Sequence, residues 1–410
     1  MRRNGSRNAV ICGSLLRDAW RAFRRSRQRS LAGVKTVGAY CCPIGAATAV
    51  AVTIVLAAGG TGTSAASGHT DPRVQIETTA ASAPSAVARA SAASSTKPGL
   101  GTPVTGAAAG WQYGASGLDR VPQAVLAAAR TITIAVIDTG ADVSAPDIAG
   151  RIVGTYDVRT GARAVPDGNG HGTFVASLAG GPGGADAGPR LLIVKAADGS
   201  SFTGADVAGG ILYAVGHGAR IINLSMAGRT PSPVEQAAIE YAARRGVLLV
   251  AATGNDALNG DPPEYPAAYL QPVGSAGAAG PGLAVGASDA QGARAPFSEF
   301  GSFVSLAAPG VSVYGAVPQG SSPAAFLRST LGNGAPAGLH GLASGTSFAA
   351  PQVACAAALV WAANPSLSAT QVANFLESTA SSHGTWTPML GFGVIDVAAA
   401  VSRAAGTLNG

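Results

Sequence analysis

A serine set between small residues opens a long helical run near the end of the chain. Ser347 lies in Gly345 to Pro351, GTSFAAP, and VACAAALVWAA follows up to Ala363. A hydroxyl at a helix start faces free N–H groups and the positive end of the macrodipole, which favour negative charge. That is the place for the oxyanion of an acyl transfer in which the serine is the nucleophile. Gly345 lets the backbone approach a substrate closely, and Pro351 is expected within the first turn, where its missing N–H costs least. The same heptapeptide would also serve as a Ser- or Thr-capped helix without chemistry. Other residues must decide.

A nucleophilic serine needs a base, and the base needs a group to orient it. His171, in DGNGHGTFVASLAG, is surrounded by glycines at 168, 170 and 172 and followed at once by a helical run. Its imidazole is therefore expected at a loop-to-helix junction, a setting that His69, His217, His340 and His383 lack. Asp138 closes the apolar run TITIAVID and opens Asp138-Thr139-Gly140. Alone, that triplet also suits an aspartic protease, which needs a second such carboxylate and a mostly β fold. No second Asp-Thr-Gly or Asp-Ser-Gly occurs. Asn255, in Thr253-Gly254-Asn255 after VLLVAA, either closes a turn or aims an amide at developing negative charge. Asn223 to Gly228, NLSMAG, ends a further apolar run, and Ser225 to Ala227 there can offer backbone groups to an extended peptide.

The elements that must hold these residues alternate. Short apolar runs predict strands at Ile132–Ile137, Leu191–Lys195, Arg220–Ser225, Val247–Ala252, Leu283–Gly286 and Val304–Ala307. Helical patterns fall at Phe174–Ala179, Ala205–Val215, Val234–Arg245 and Ser347–Ala362. Continuous apolar strands separated by helices imply an α/β fold, a doubly wound, mostly parallel sheet with helices on both faces. In such sheets function gathers at the C-terminal ends of the strands, where Asp138, Asn223 and Asn255 fall.

Composition divides the chain before it describes it. At 410 residues, 47% hydrophobic and 12% charged, there is apolar sequence for one large core with appendages. The net charge of +6 is concentrated: residues 1–35 carry nine Arg and one Lys against Asp18, leaving residues 36–410 at −3. The basicity belongs to a leader and gives no sign of nucleic-acid binding. Val37 to Ala58 holds 22 residues without a charge, long enough to span a bilayer. With the Arg residues before it, the positive-inside rule places residues 1–35 in the cytoplasm and the rest outside. Apolar length favours an uncleaved anchor, and the small residues Ala57, Ala58 and Gly59 favour cleavage. Residues 59–109, rich in Ala, Ser, Thr, Gly and Pro, read as a disordered linker, and order is expected from Trp111. Cys12, Cys41 and Cys42 precede or lie in the apolar segment, so Cys355 stands alone beyond it, expected as a small buried hydrophobe.

Taken in order, Asp138, His171, Asn255 and Ser347, with VIDTG, HGT, SMAG, TGN, AAPGVSV from Ala307, GTSFAAP and GFGVIDVAAAV, closely resemble the subtilisin-like serine proteases, the subtilases. The resemblance covers about residues 110–405 and implies a peptidase domain there, after a basic leader at 1–35, a signal peptide or signal-anchor helix at 36–58 and the linker at 59–109. It implies an exported serine endopeptidase in which Ser347 attacks, His171 moves the proton, Asp138 orients the imidazole and Asn255 with the Ser347 N–H binds the oxyanion. Ser225, Met226, Ala227 and Gly228 are implied as substrate-binding. Polypeptides are the implied substrates, a monomer the implied state, and no cofactor is required. Membrane contact would run through residues 37–58 if these stay uncleaved.

Departures from the family pattern limit this. Met226-Ala227 replaces a common Leu-Gly, so Ala227 narrows the pocket beside it and leaves primary specificity open. Gln352 replaces a frequent His, with little effect expected. Asp147 matches a frequent calcium ligand, but one carboxylate is a poor site for an ion that takes six to eight oxygens. Residues 59–109 are too low in complexity to be a folded pro-domain. The long connection between Tyr314 and Ser344 is expected either to border the leaving-group side of the cleft or to be a plain surface insertion. Two other classes stay in view. A catalytically silent or latent peptide-binding protein on the same fold is one. An α/β esterase is the other, although it would show Gly-x-Ser-x-Gly and the order Ser, Asp, His.

Overall fold

The computed structural model describes residues 40–44, 48–52, 110–182, 187–318, 327–328 and 340–408. The basic leader at 1–35, the linker at 59–109 and residues 321–338 other than Leu327–Arg328 lie outside the described residues. The chain divides into two compact units, Met1–Ser85 and Ala86–Gly410. In the first, β1 (Tyr40–Ile44) and β2 (Thr48–Val52) pair antiparallel, with Tyr40 opposite Val52. Over these two segments the apolar stretch is extended and paired, where a signal peptide or signal-anchor helix is expected from the sequence. Pro43 interrupts helical bonding, and Thr48, Val50 and Val52 favour extended backbone.

In the second unit, seven strands form one sheet in the order β4-β5-β3-β6-β7-β8-β9, every pair parallel. They are β3 (Thr133–Asp138), β4 (Ile152–Asp157), β5 (Arg190–Lys195), β6 (Ile221–Leu224), β7 (Leu248–Ala252), β8 (Gly282–Ser288) and β9 (Leu306–Pro309). Along β3, Ile134 and Val136 enter one core while Ala135 and Ile137 enter the other, the period-two alternation of a strand covered on both faces. After β3 the chain builds β4 and β5 on one side, then crosses over to lay down β6 to β9. The C-terminal end of β3 is thus the switch point, where a crevice opens.

Helices α4 (Gly204–Gly216) and α5 (Pro233–Arg244) bury Val207, Ile211, Ile239 and Ala242 in the core on one face. Thr203 and Ser232 cap them by accepting from the N–H groups of Asp206 and Glu235. On the other face lie α2 (Gln123–Ala128), α3 (His171–Gly180), α7 (Thr346–Ala363), α8 (Ala369–Thr379) and α9 (Val397–Gly406). The short α1 (Trp111–Ala115) leads in, and α6 (Ala267–Leu270) precedes β8. Helix α7 is the axle of this face. Every residue from Thr346 to Trp361 is buried, because its alanines let it lie close across β6, β7, β8 and β9. It is long and apolar enough to cross a membrane, yet 89% of that stretch is buried inside the protein.

The predicted strands agree with the sheet except at three places, the first being β8, which runs two residues past its expected end to Ser288. Strand β9 begins at Leu306, two residues after the expected start. Strand β4 was not expected: it is an edge strand, and IVGTYD buries only its last residue fully, so no continuous apolar run marks it. The long connection before α7 also carries strands. Here β10 (Val313–Ala316), β11 (Leu327–Arg328) and β12 (His340–Ala343) form an antiparallel sheet in the order β10-β12-β11.

Candidate active site

Asp138 is the last residue of β3, and His171 is the first residue of α3. His171 Nδ1 lies 2.8 Å from Asp138 Oδ1, and the Thr139 N–H donates to that same oxygen at 2.7 Å. Both side chains are buried. The two elements can meet so closely because residue 172 is glycine: a Cβ there would sit 2.1 Å from the Gly140 carbonyl oxygen. Burial alone would depress the imidazole pKa. The charge of Asp138 and its hydrogen bond outweigh this, with Asp167 adding to them, so His171 is held above its ordinary value. His171 Nε2 is buried and has no hydrogen-bond partner among the described residues.

A second carboxylate braces this pair. Asp167 Oδ1 accepts from the Thr139 hydroxyl and the Gly170 N–H, both at 2.8 Å. Its Oδ2 accepts from the Thr173 N–H at 2.8 Å and the Thr173 hydroxyl at 2.6 Å. Thr139 Oγ1 in turn accepts from the Gly172 N–H at 2.9 Å. The loop after β3 and the first turn of α3 are therefore one hydrogen-bonded unit. Lys195, at the end of β5, donates to the carbonyls of Thr139 at 2.6 Å and Pro166 at 2.8 Å and closes the unit from beneath. None of Asp167, Thr139, Thr173 and Lys195 was singled out from the sequence. The available signal was a carboxylate four residues before the histidine, in DGNGH.

Ser347 is the second residue of α7 and is buried. Helix α7 packs along α3, and the Phe348 ring lies 5.4 Å from the His171 ring and 4.8 Å from Phe174. Pro351 is the sixth residue of α7, beyond the first turn expected for it. Without an N–H it leaves the Ser347 carbonyl, four residues back, without its helical donor. The Ser225 hydroxyl takes that place, donating to the Ser347 oxygen at 2.7 Å while accepting from Asn223 Nδ2 at 2.9 Å. Asn223 and Ser225 thus hold the Ser347 backbone from the end of β6.

Asn255 follows β7, and its Oδ1 accepts from the Thr346 N–H at 2.9 Å and the Thr346 hydroxyl at 3.1 Å. With the oxygen anchored at the start of α7, the NH₂ side of the amide is the side left to donate. Of the four residues implied as substrate-binding, Ser225, Met226, Ala227 and Gly228 are all buried. Gly228 exchanges both backbone hydrogen bonds with Tyr265, at 2.9 and 2.8 Å, so its N–H and C=O are occupied. Gln352 donates to the carbonyls of Pro309 at 2.6 Å and Phe348 at 2.8 Å, tying α7 to the end of β9.

Asp147 is engaged by His340. Its Oδ2 lies 3.0 Å from His340 Nε2, and despite burial the His340 ring holds the Asp147 carboxyl below the usual carboxylate range. His340 stacks on Tyr314 with ring centroids 4.8 Å apart. Among the described residues no group of three or more His, Cys, Asp or Glu is placed to hold a metal ion. A lone carboxylate already engaged by an imidazole does not fit calcium. Cys355 is buried, and burial pushes its thiol up to about 12, as expected of an inert core cysteine.

The comparisons with known proteins agree with one another. The model of the subtilase family matches residues 129–393. Subtilisin Savinase from Lederbergia lenta is 36% identical over 283 residues, covering 66% of this chain and 90% of that protein. Thermitase from Thermoactinomyces vulgaris is 34% identical over 278 residues, covering 66% and 88%. Among solved structures, fervidolysin from Fervidobacterium pennivorans, a keratinolytic enzyme related to subtilisin, superposes with a TM-score of 0.59 at 28% identity, over 72% of this chain and 45% of that one. The buried acid–imidazole pair, the helix that carries the serine and the doubly wound sheet stand in the company of these relatives, and the chain belongs to the subtilase family as a serine-type endopeptidase.

Proposed function

We propose that Asp138, His171 and Ser347 are the catalytic triad of this protease, with Asn255 Nδ2 and the Ser347 N–H as its oxyanion hole. The observation that carries the reading is the 2.8 Å contact of His171 Nδ1 with Asp138, which leaves Nε2 buried and unpartnered. Ser347 Oγ attacks the peptide carbonyl as His171 takes its proton, and the oxyanion gathers at Asn255. The C–N bond then breaks, the amine leaves with the proton from His171, and water hydrolyses the acyl-enzyme by the same path. Asp138 holds the tautomer and stabilises the imidazolium. An extended substrate runs along Ser225 to Ala227. Asn255→Ala lowers kcat about 100- to 1,000-fold, the scale for subtilisin's oxyanion asparagine.

The reaction draws on no organic cofactor, and calcium is not held at Asp147 in this reading. Residues 110–405 are the peptidase domain, acting as a monomer on polypeptides outside the cytoplasm. Export rests on the uncharged stretch 37–58 behind its basic leader, which serves as cleaved signal or as anchor. A matched peptide and acyl ester, assayed with Ser347→Ala as control, test the reading. It requires peptide cleavage that the variant loses; cleavage that survives in Ser347→Ala overturns it.

A further inference from the structure

The residue on the acyl side of the scissile bond must lie beside Asn255 if that amide binds the oxyanion, and its neighbour in the chain is Gly254. Gly254 has φ of +119°, and a Cβ there would fall 2.2 Å from Glu264 Oε2 and 2.8 Å from Glu299 Oε2. Two carboxyl groups therefore converge on one point against this glycine. Each is held there by backbone. Glu264 precedes Tyr265, which pairs with Gly228 at the end of NLSMAG, and the Glu299 N–H donates to the Gly254 carbonyl at 3.1 Å. Glu264 is 3% exposed and Glu299 is 0% exposed. Neither Oε1 nor Oε2 of Glu299 has a hydrogen-bond partner among the described residues.

Among the described residues, Arg229 offsets the charge of the pair only in part. Asp256 and Asp261 add negative charge, and the Asp261 carboxylate is engaged by the Phe300 N–H at 3.0 Å. Arg229 is half exposed, donates to Asp256 at 2.7 Å and comes only within 4.0 Å of Glu264. Arg294 is spent on backbone carbonyls around Ser298 and on the Phe300 ring. A buried carboxyl group without a partner is costly, and a cationic donor arriving with a ligand removes that cost. We propose that Glu264 and Glu299 form the acidic floor of the pocket that receives the substrate residue preceding the cut, and that they select arginine or lysine there. The proposal rests on the reading of Ser347 and Asn255 given above. A substrate cation is favoured over a metal ion because these residues do not make a metal-holding group.

Peptides that differ only in the residue before the cut test this. The full-length enzyme should cleave after Arg and Lys with kcat/KM about 100-fold or more above Leu and Phe, because a site built of buried polar groups rejects what leaves them unpaired. Glu264→Gln and Glu299→Gln should each lower the Arg-to-Leu ratio by about 10- to 100-fold. Burial, with their neighbours' charge, pushes Glu264 up to about 7 and Glu299 up to about 10. As pH climbs through about 7 Glu264 ionises while Glu299 keeps its proton until about 10, so the Arg-to-Leu ratio should rise in two steps, and His171 protonation cancels in the ratio. Fluorophosphonate labelling of Ser347 in each variant separates altered selectivity from loss of folding. A wild-type preference for Leu or Phe, or variants that slow Arg and Leu peptides alike, overturns the proposal. So does an Arg preference that EDTA abolishes and calcium restores, since the acids then hold a metal. A wild type that neither cleaves nor labels instead overturns the triad on which the pocket rests.

Discussion

At the level of single residues, the proposed mechanism depends on one imidazole held between opposing influences. Burial lowers the His171 pKa, and Asp138, by charge and hydrogen bond, raises it further than burial lowers it. A base must be neutral to take the serine proton, so kcat/KM should rise with pH through a midpoint above the ordinary histidine value of about 6.5. Asp138→Asn should lower kcat by about 10⁴-fold and move that midpoint down, as read from the pH–rate profile. An unmoved midpoint would mean that Asp138 does not set the titration. Asp167 acts one step back. Asp167→Ala strips the acceptors from Gly170, Thr173 and Thr139, and should cost about 3 kcal/mol by denaturant midpoint while lowering kcat more than it raises KM. An equal effect on a purely structural probe with kcat intact would remove its positioning role. Asp138, His171, Asn255 and Ser347, on which the proposed site is built, stand out in the sequence because each sits in a short motif among glycines. Asp167, Glu264 and Glu299 were not, since each acts across a contact that only the folded chain makes.

At the level of elements, the strand ends and helix starts were legible wherever both faces of a strand are buried, as in TIAVID, IINL and LLVAA. Strand β4 was not, because IVGTYD is broken by Gly154 and Thr155 and is fully buried only at Asp157, and α8 and α9 are short helices marked by the caps Ser368 and Asp396. The placement of Pro351 is the instructive difference. Expected in the first turn, it falls deeper, and the vacated carbonyl of Ser347 is taken by Ser225. Ser225→Ala should therefore destabilise the fold by about 1–2 kcal/mol and lower kcat, by leaving a buried acceptor unmet. Pro351→Ala restores an N–H four residues after Ser347, so adding it to Ser225→Ala should recover part of both losses. Additive losses in this double-mutant cycle would show that the two residues do not share the carbonyl.

At the level of the whole molecule, composition sets a basic stretch at 1–35 and an Ala/Ser-rich stretch at 59–109 apart from the residues that follow. Among the described residues, the cores on both faces of the sheet draw on residues after Gly110. A chain of residues 110–408 should consequently unfold cooperatively and label at Ser347 as fast as the full chain. Aggregation of that fragment would mean that earlier residues contribute to the fold. The proposed mechanism requires that Ser347 be an activated nucleophile. The direct measurement is reaction of the intact protein with a fluorophosphonate, followed by mass mapping of the modified peptide. The account predicts a single modified site within GTSFAAP at Ser347, abolished in Ser347→Ala and strongly slowed in His171→Ala. A folded protein that takes no label, or takes it at another serine, would contradict it.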